Sequence, residues 1–202
     1  MKKLQLLTIA LACTSLLVAC STQVKTNGKA TESTKMVKET DKLSHKKEMK
    51  DDQMSDAKQM NDGKKASDFS LMGVDGKTYN LSDFKGKKVY LKFWASWCPI
   101  CLAGLEEVDG LAKDAPADTV ILSVVSPNKK GEQSEEDFKK WYKELGHKNL
   151  PVLLDPSGKL IEEYGVRVYP TSAFIGSDGI ITKVMPGHME KADILNTFET
   201  IK

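Results

Sequence analysis

The sequence predicts an α/β protein whose central mixed sheet carries helices on both faces. Three observations predict it. Strand and helix signals alternate from about residue 67 to the end of the chain, the pattern of a parallel core sheet. The last two strand signals are joined by Gly176-Ser177-Asp178-Gly179, a hairpin turn that adds an antiparallel edge. A pair of cysteines, Cys98 and Cys101, stands where a β-rich run gives way to a helical one.

The elements follow in order. Phe69-Ser70-Leu71-Met72 and Lys77-Thr78-Tyr79-Asn80-Leu81 flank the turn signature Val74-Asp75-Gly76 and form a hairpin. Lys88 to Trp94 is rich in β-branched and aromatic residues and suits a central strand. A helix is expected from Cys98 to Lys113, with Leu102, Leu105, Val108 and Leu111 on one apolar face. Thr119 to Val125 is the next buried strand. Ser134 opens a helix in the manner of a capping box, with Glu135, Glu136 and Asp137 in the first turn and Phe138, Trp141 and Tyr142 behind them. Val152 to Leu154 is a short strand, and Asp155-Pro156-Ser157-Gly158 turns into a helix over 159–164. Thr171 to Ile175 and Ile180 to Val184 are the hairpin strands, and a helix from Met189 to about Ile201 closes the domain.

The 202 residues are unevenly apolar. Met1-Lys2-Lys3 gives a positive start, and a mainly apolar run follows from Leu4 to Val18, shorter than the roughly 20 residues a spanning helix needs. This order is that of a secretory signal peptide. Leu17-Val18-Ala19-Cys20 resembles the lipobox of bacterial lipoproteins, which implies cleavage after Ala19 and lipid on Cys20. Cys13 lies within the segment to be removed. Residues 20–66 hold Lys, Thr, Ser, Asp and Met, no aromatic residue and few branched aliphatic ones. Such a stretch buries too little apolar surface to offset its ordering entropy and is expected to be a lipidated, disordered tether. His45 with Met36, Met49, Met54 and Met60 fits solvated composition better than a soft-metal site, because one histidine without fixed geometry is a poor ligand set. The domains are therefore residues 1–19, a leader, residues 20–66, a tether, and residues 67–202, the folded part. The expected location is the outer face of the cell membrane, lipid-anchored.

A net charge of +2 gives no electrostatic case for nucleic acid. Cys98 and Cys101 are the only cysteines of the folded part, too few for a disulfide-stapled scaffold. No second Cys-x-x-Cys completes a zinc site, and the histidines are His45, His147 and His188. No metal and no cofactor is called for. A disulfide closing so short a loop constrains the unfolded chain little, so redox chemistry is the better account.

Two cysteines three apart on one helical turn are close enough to bridge. Cys98 at the helix N-terminus meets free N–H groups and the positive end of the macrodipole, which favour its thiolate over a free thiol of pKa roughly 8.5. Pro99 suits the first helical turn because its missing N–H has no partner there. Cys101 points into the helix body and is placed to resolve a mixed disulfide at Cys98. Trp97 shields the pair while leaving one sulfur open.

Trp94-Ala95-Ser96-Trp97-Cys98-Pro99-Ile100-Cys101 resembles the thioredoxin active site, and Tyr164 to Thr171 resembles that superfamily's cis-proline segment. The start at Phe69-Ser70-Leu71 and the helical insert around Ser134 to Leu145 resemble the TlpA/ResA branch of extracytoplasmic thioredoxin-like proteins. The resemblance implies a thioredoxin-like fold with an N-terminal β-hairpin extension and a helical insert. It implies that Pro170 is cis and faces Cys98, and that Trp97, Pro99, Ile100, Tyr169 and Thr171 contact substrate. Three positions depart from the family. Lys92 stands where thioredoxin has a buried aspartate, Gly104 where the ResA type has glutamate, and Glu106 where the helix has proline. The usual proton acceptor for the buried thiol is thus missing, and Glu106, or Glu107 beside it, is the candidate replacement. A lysine at position 92 is expected to turn its amine outward or find a carboxylate.

The resemblance implies an extracytoplasmic reductase that takes electrons from a membrane thiol carrier of the CcdA/DsbD type and passes them to surface proteins, such as a methionine sulfoxide reductase. The alternatives are an oxidant or isomerase acting on secreted proteins, and a non-catalytic surface lipoprotein.

Overall fold

The structure is a computed structural model and describes residues 61–202. The leader, the lipid site Cys20 and the tether up to residue 60 lie outside the described residues. Among those described, no helix is long and apolar enough to cross a membrane.

One mixed sheet of eight strands organises the domain. The strands are β1 (Lys64–Lys65), β2 (Ser70–Gly73), β3 (Thr78–Asn80), β4 (Lys88–Phe93), β5 (Thr119–Val125), β6 (Val152–Leu154), β7 (Thr171–Ile175) and β8 (Ile180–Pro186), in the spatial order β1-β8-β7-β4-β5-β6-β2-β3. β4, β5 and β6 run parallel. The β7–β8 hairpin adds antiparallel on one side, and the β2–β3 hairpin adds antiparallel to β6 on the other. The helices are α1 (Pro99–Ala103), α2 (Leu105–Lys113), α3 (Glu135–Leu145), α4 (Lys159–Glu163) and α5 (Lys191–Thr200). This is the thioredoxin-like architecture that the sequence implied, hairpin extension and helical insert included.

Strand β4 shows how the sheet serves two cores. Its side chains alternate. Val89, Leu91 and Phe93 join Leu122, Val124, Leu160 and Ile161 on the α4 side. Tyr90 and Trp94 join Leu105, Val108, Phe138, Ile194 and both cysteines under α1, α2, α3 and α5. Lys92 falls between Tyr90 and Trp94 on this second face and is only 2 % exposed. Its amine is therefore buried and does not turn outward.

The sequence expectations need adjustment at four places. The helix expected from Cys98 to Lys113 breaks at Gly104, which caps α1 and opens α2 with φ −95° and ψ 3°. A side chain there meets His188, 2.6 Å from the position its Cβ would take, so the residue that weakens the helix is the one the packing accepts. β8 runs on to Pro186, beyond the expected Val184, because β7 continues to pair with it as far as Thr171. The closing helix starts later than Met189, at Lys191, with Glu190 as N-cap.

The fold also begins earlier than residue 67. Lys64 and Lys65 pair with Ile181 and Ile180, and Ala66 is buried. Asn61 ties this segment down through hydrogen bonds from its backbone N and Nδ2 to Asp178 (2.8 and 2.9 Å) and from Nδ2 to the Lys202 carbonyl. Composition hid this, because an edge strand of two lysines carries no apolar signal. Trimming the chain to begin at Ser67 instead of Asn61 is expected to cost about 2 kcal/mol, a few partly exposed hydrogen bonds at about 1 kcal/mol or less each. A lower urea midpoint at unchanged slope will show it.

Candidate active site

Cys98 and Cys101 form a disulfide, with Cα atoms 5.2 Å apart. Strand β4 ends at Phe93, and the chain turns through Trp94 to Trp97 into α1. Cys98 is the N-cap of α1, in extended conformation, and Pro99 is the first helical residue. The Cys98 carbonyl accepts from the N–H groups of Cys101 and Leu102 (3.0 and 3.1 Å). Cys98 keeps 4 % of its surface, whereas Cys101 has none. The helix terminus thus holds one sulfur at the rim and the other in the core.

Around the rim lie large apolar side chains that the fold leaves in solvent: Trp97, Ile100 and Val168, each about half exposed. Pro99 is exposed beside them. The Trp97 ring is tilted against Tyr169 at 5.9 Å between centroids. The Tyr169–Pro170 peptide is cis. Trp97, Pro99, Ile100 and Tyr169 therefore share a surface with the cysteine pair. Thr171 does not present its side chain there. It is buried, and its hydroxyl donates to the Val168 carbonyl at 2.8 Å.

The loop between β5 and α3 braces both halves of this surface, and its residues were not singled out from sequence. Glu132, 7 % exposed, accepts from Ser96 N and Ser96 Oγ at 2.6 Å each and from Gln133 N at 2.7 Å. It fixes the turn just before Trp97 and Cys98. Lys130 donates to the Val166 carbonyl at 2.9 Å and lies 5.6 Å over the Tyr169 ring, a cation–π contact. Asn128 and Lys130 hold φ of 61° and 48°, left-handed values that non-glycine residues adopt at a cost. Burial, then the nearby carboxylates of Glu132 and Asp155, raise the Tyr169 phenol to about 12, so it stays neutral at physiological pH. Replacing Glu132 by alanine is expected to cost about 1–3 kcal/mol, since it removes the buried acceptor of the half-buried Ser96 N–H, the Ser96 hydroxyl and the Gln133 N–H. Urea unfolding of the oxidised protein measures it.

The candidate proton acceptors separate. Glu106 is exposed on α2, while Glu107 is half-buried and turned toward the sheet, where its charge acts on Lys92 and on Tyr90. Periodicity did not distinguish two adjacent glutamates. The structure does, because Leu105 and Val108 set the buried face of α2.

Comparison with known proteins places the chain among thioredoxin-like proteins. The family model described as Redoxin matches residues 61–200. The thioredoxin-like protein YneN of Bacillus subtilis is 33 % identical over 133 residues, 66 % of this chain and 76 % of that one. The thiol-disulfide oxidoreductase ResA of Geobacillus thermodenitrificans is 29 % identical over 143 residues, 69 % of this chain and 78 % of that one. Among solved structures, the pneumococcal exposed lipoprotein thioredoxin (Etrx1) of Streptococcus pneumoniae superposes with a TM-score of 0.66 at 67 % identity, covering 67 % of this chain and all of that one.

Proposed function

The chain belongs to the redoxin family and is a thiol–disulfide oxidoreductase of the TlpA/ResA-like, thioredoxin-like type, and on that premise we propose that it works as a reductase at the outer face of the membrane. Its substrates are protein disulfides. Cys98 attacks the substrate disulfide, and Cys101 then attacks Cys98 and releases the reduced substrate. Trp97, Pro99, Ile100, Tyr169 and the cis Pro170 form the surface that the substrate chain lies on, and Thr171 contributes backbone only. A membrane thiol carrier of the CcdA/DsbD type returns the electrons, and a surface methionine sulfoxide reductase is a suitable acceptor.

The observation that carries the attacking role is the asymmetry of the pair: Cys98 caps the helix at the rim and Cys101 is sealed in the core. Support for the location comes from Leu17-Val18-Ala19-Cys20 and from the similarity to a protein described as an exposed lipoprotein. The direction rests on the residues between the cysteines. Pro99 and Ile100 bring no charge and no side-chain donor, whereas a strong oxidant needs its reduced form stabilised.

One observation favours the competing oxidant. Lys92 is buried under the active-site helix, and a cation there stabilises a thiolate. Its amine, however, lies beside Gly104 and within the field of the Glu107 carboxylate, which offsets its charge. Equilibrating the protein with glutathione buffers decides. A potential near that of thioredoxin, about −270 mV, is expected; a value near −120 mV makes the protein an oxidant.

A further inference from the structure

Three segments meet around the cysteine pair: residues 94–101, 128–133 and 166–171. Together they carry three exposed cations, Lys129, Lys130 and Arg167, and a single carboxylate, Glu132. The whole chain has a net charge of only +2, so this excess is local. Glu132 does not offset it by contact. It is buried, and its oxygens accept from Ser96 N, Ser96 Oγ and Gln133 N. Asp155, the other carboxylate that acts on Tyr169, is buried too and caps α4 through Gly158 N and Leu160 N (3.0 and 2.9 Å). Among the described residues no ion pair engages Lys129, Lys130 or Arg167. Glu107 and Glu190 gather with His188 instead, on none of the three segments.

The fold places these cations. Loop 128–133 closes on itself, with the Asn128 N–H donating to the Gln133 carbonyl and the Glu132 N–H to the Lys129 carbonyl (2.9 Å each). The loop reaches Trp97, since a Cβ on Gly131 would lie 3.6 Å from the indole Nε1. Lys130 gives one of its three ammonium protons to the Val166 carbonyl at 2.9 Å. That carbonyl shares its peptide unit with the Arg167 nitrogen. The Lys129 stem lies against Gly158 at the head of α4, its Cγ 3.3 Å from the place a Cβ would take. Stems held in this way lose less entropy when their charged heads find a ligand. The side chains of Lys129 and Arg167 and the indole N–H of Trp97 make no hydrogen bond among the described residues. The redox surface is therefore apolar at its centre, where Trp97, Ile100 and Val168 are about half exposed, and its rim is rich in unused donors and positive charge. A matching partner brings acceptors that carry negative charge.

We propose that this surface selects protein disulfides flanked by acidic residues: an Asp- or Glu-bearing segment of the substrate lies over Lys129, Lys130 and Arg167 while its disulfide is presented to Cys98. This rests on the reading of the protein as a reductase with Cys98 as the attacking thiol. Charge complementarity of this kind speeds encounter and rejects wrong partners more than it tightens the final complex. A disulfide flanked by lysines meets like charge at the rim and is turned away.

The test uses the full chain, reduced beforehand so that Cys98 and Cys101 supply the two electrons. It compares peptides of one length, each closed by one disulfide and flanked by Asp and Glu, by Ser and Gln, or by Lys. At low salt the acidic peptide is expected to be reduced about ten-fold faster than the lysine peptide, and the difference to vanish at about 0.5 M salt, where the Debye length is roughly 4 Å. Lys129→Glu and Arg167→Glu are each expected to lower the acidic-to-lysine rate ratio about three-fold or more. Lys130 is left in place because it also holds the Val166 carbonyl. Lys113→Glu, the same change of charge in the last turn of α2, is expected to leave the ratio as it was. Equal rates for the three peptides, or a preference that survives both reversals, overturns this proposal and leaves the reductase reading standing. Equal rates together with binding of the chain to anionic phospholipid vesicles, lost in the same two variants, makes the rim a membrane contact and overturns it as well. Failure to reduce any of the peptides overturns both this and the reading beneath it.

Discussion

Replacing Cys98 by alanine is expected to abolish disulfide exchange, a loss on the order of 1,000-fold or more, because no second nucleophile faces the substrate surface. Cys101 has no exposed surface. Once alone it cannot reach a substrate sulfur without opening the contacts around Leu105 and Trp94. Cys101→Ala is expected to fail differently. Cys98 remains at the helix terminus, attacks, and has nothing to release it, so the chain accumulates as a mixed disulfide. Steady-state turnover vanishes in both variants, while mass spectrometry separates them: an adduct on Cys101→Ala and none on Cys98→Ala. Adducts on the Cys98→Ala chain would falsify the order of attack. Alkylation of the two reduced variants gives an independent check, with Cys98 the faster thiol across the pH range.

The features visible in the sequence were those written in local chemistry. The strands β4, β5, β6 and β7 were legible because each is largely buried on both faces and is dominated by apolar, β-branched or aromatic residues, with few polar interruptions such as Lys92 and Ser123. The α3 start was legible because capping is local: Ser134 Oγ accepts from Asp137 N at 3.2 Å. The redox pair was legible for the same reason. What escaped were features that depend on distant segments meeting. Asn61 finds its partners across the whole domain, at Asp178 and Lys202. Glu132 finds Ser96 from a loop with no periodic signal. Lys92 is a borderline case. The alternation of Tyr90, Lys92 and Trp94 already places it on the face of the active-site helix, but the general preference of lysine for solvent argued the other way.

Replacing Phe138 by alanine is expected to be the most damaging change outside the cysteines, about 3–5 kcal/mol, the range for deleting a fully buried aromatic ring. Phe138 has no exposed surface although it belongs to the helical insert, α3. Its ring lies 5.7 Å from that of Trp94, 5.6 Å from Trp141 and 5.9 Å from Tyr142, the last pair stacked. Trp94 is itself buried on the turn that leads to Cys98. The insert is therefore part of the wall behind the redox pair, and a cavity there reaches the active-site turn through a single ring. Set against a typical domain stability of about 5–15 kcal/mol, this loss is a large fraction of the total. The exposed Lys140–Glu136 pair on the same helix gives the control. With side chains 68 % and 80 % exposed, its removal is expected to cost no more than about 0.5 kcal/mol. Urea unfolding followed by tryptophan fluorescence compares the two variants. If Phe138→Ala loses no more than the Glu136→Gln control, the insert is a surface addition and Trp94 is held by the rest of the core.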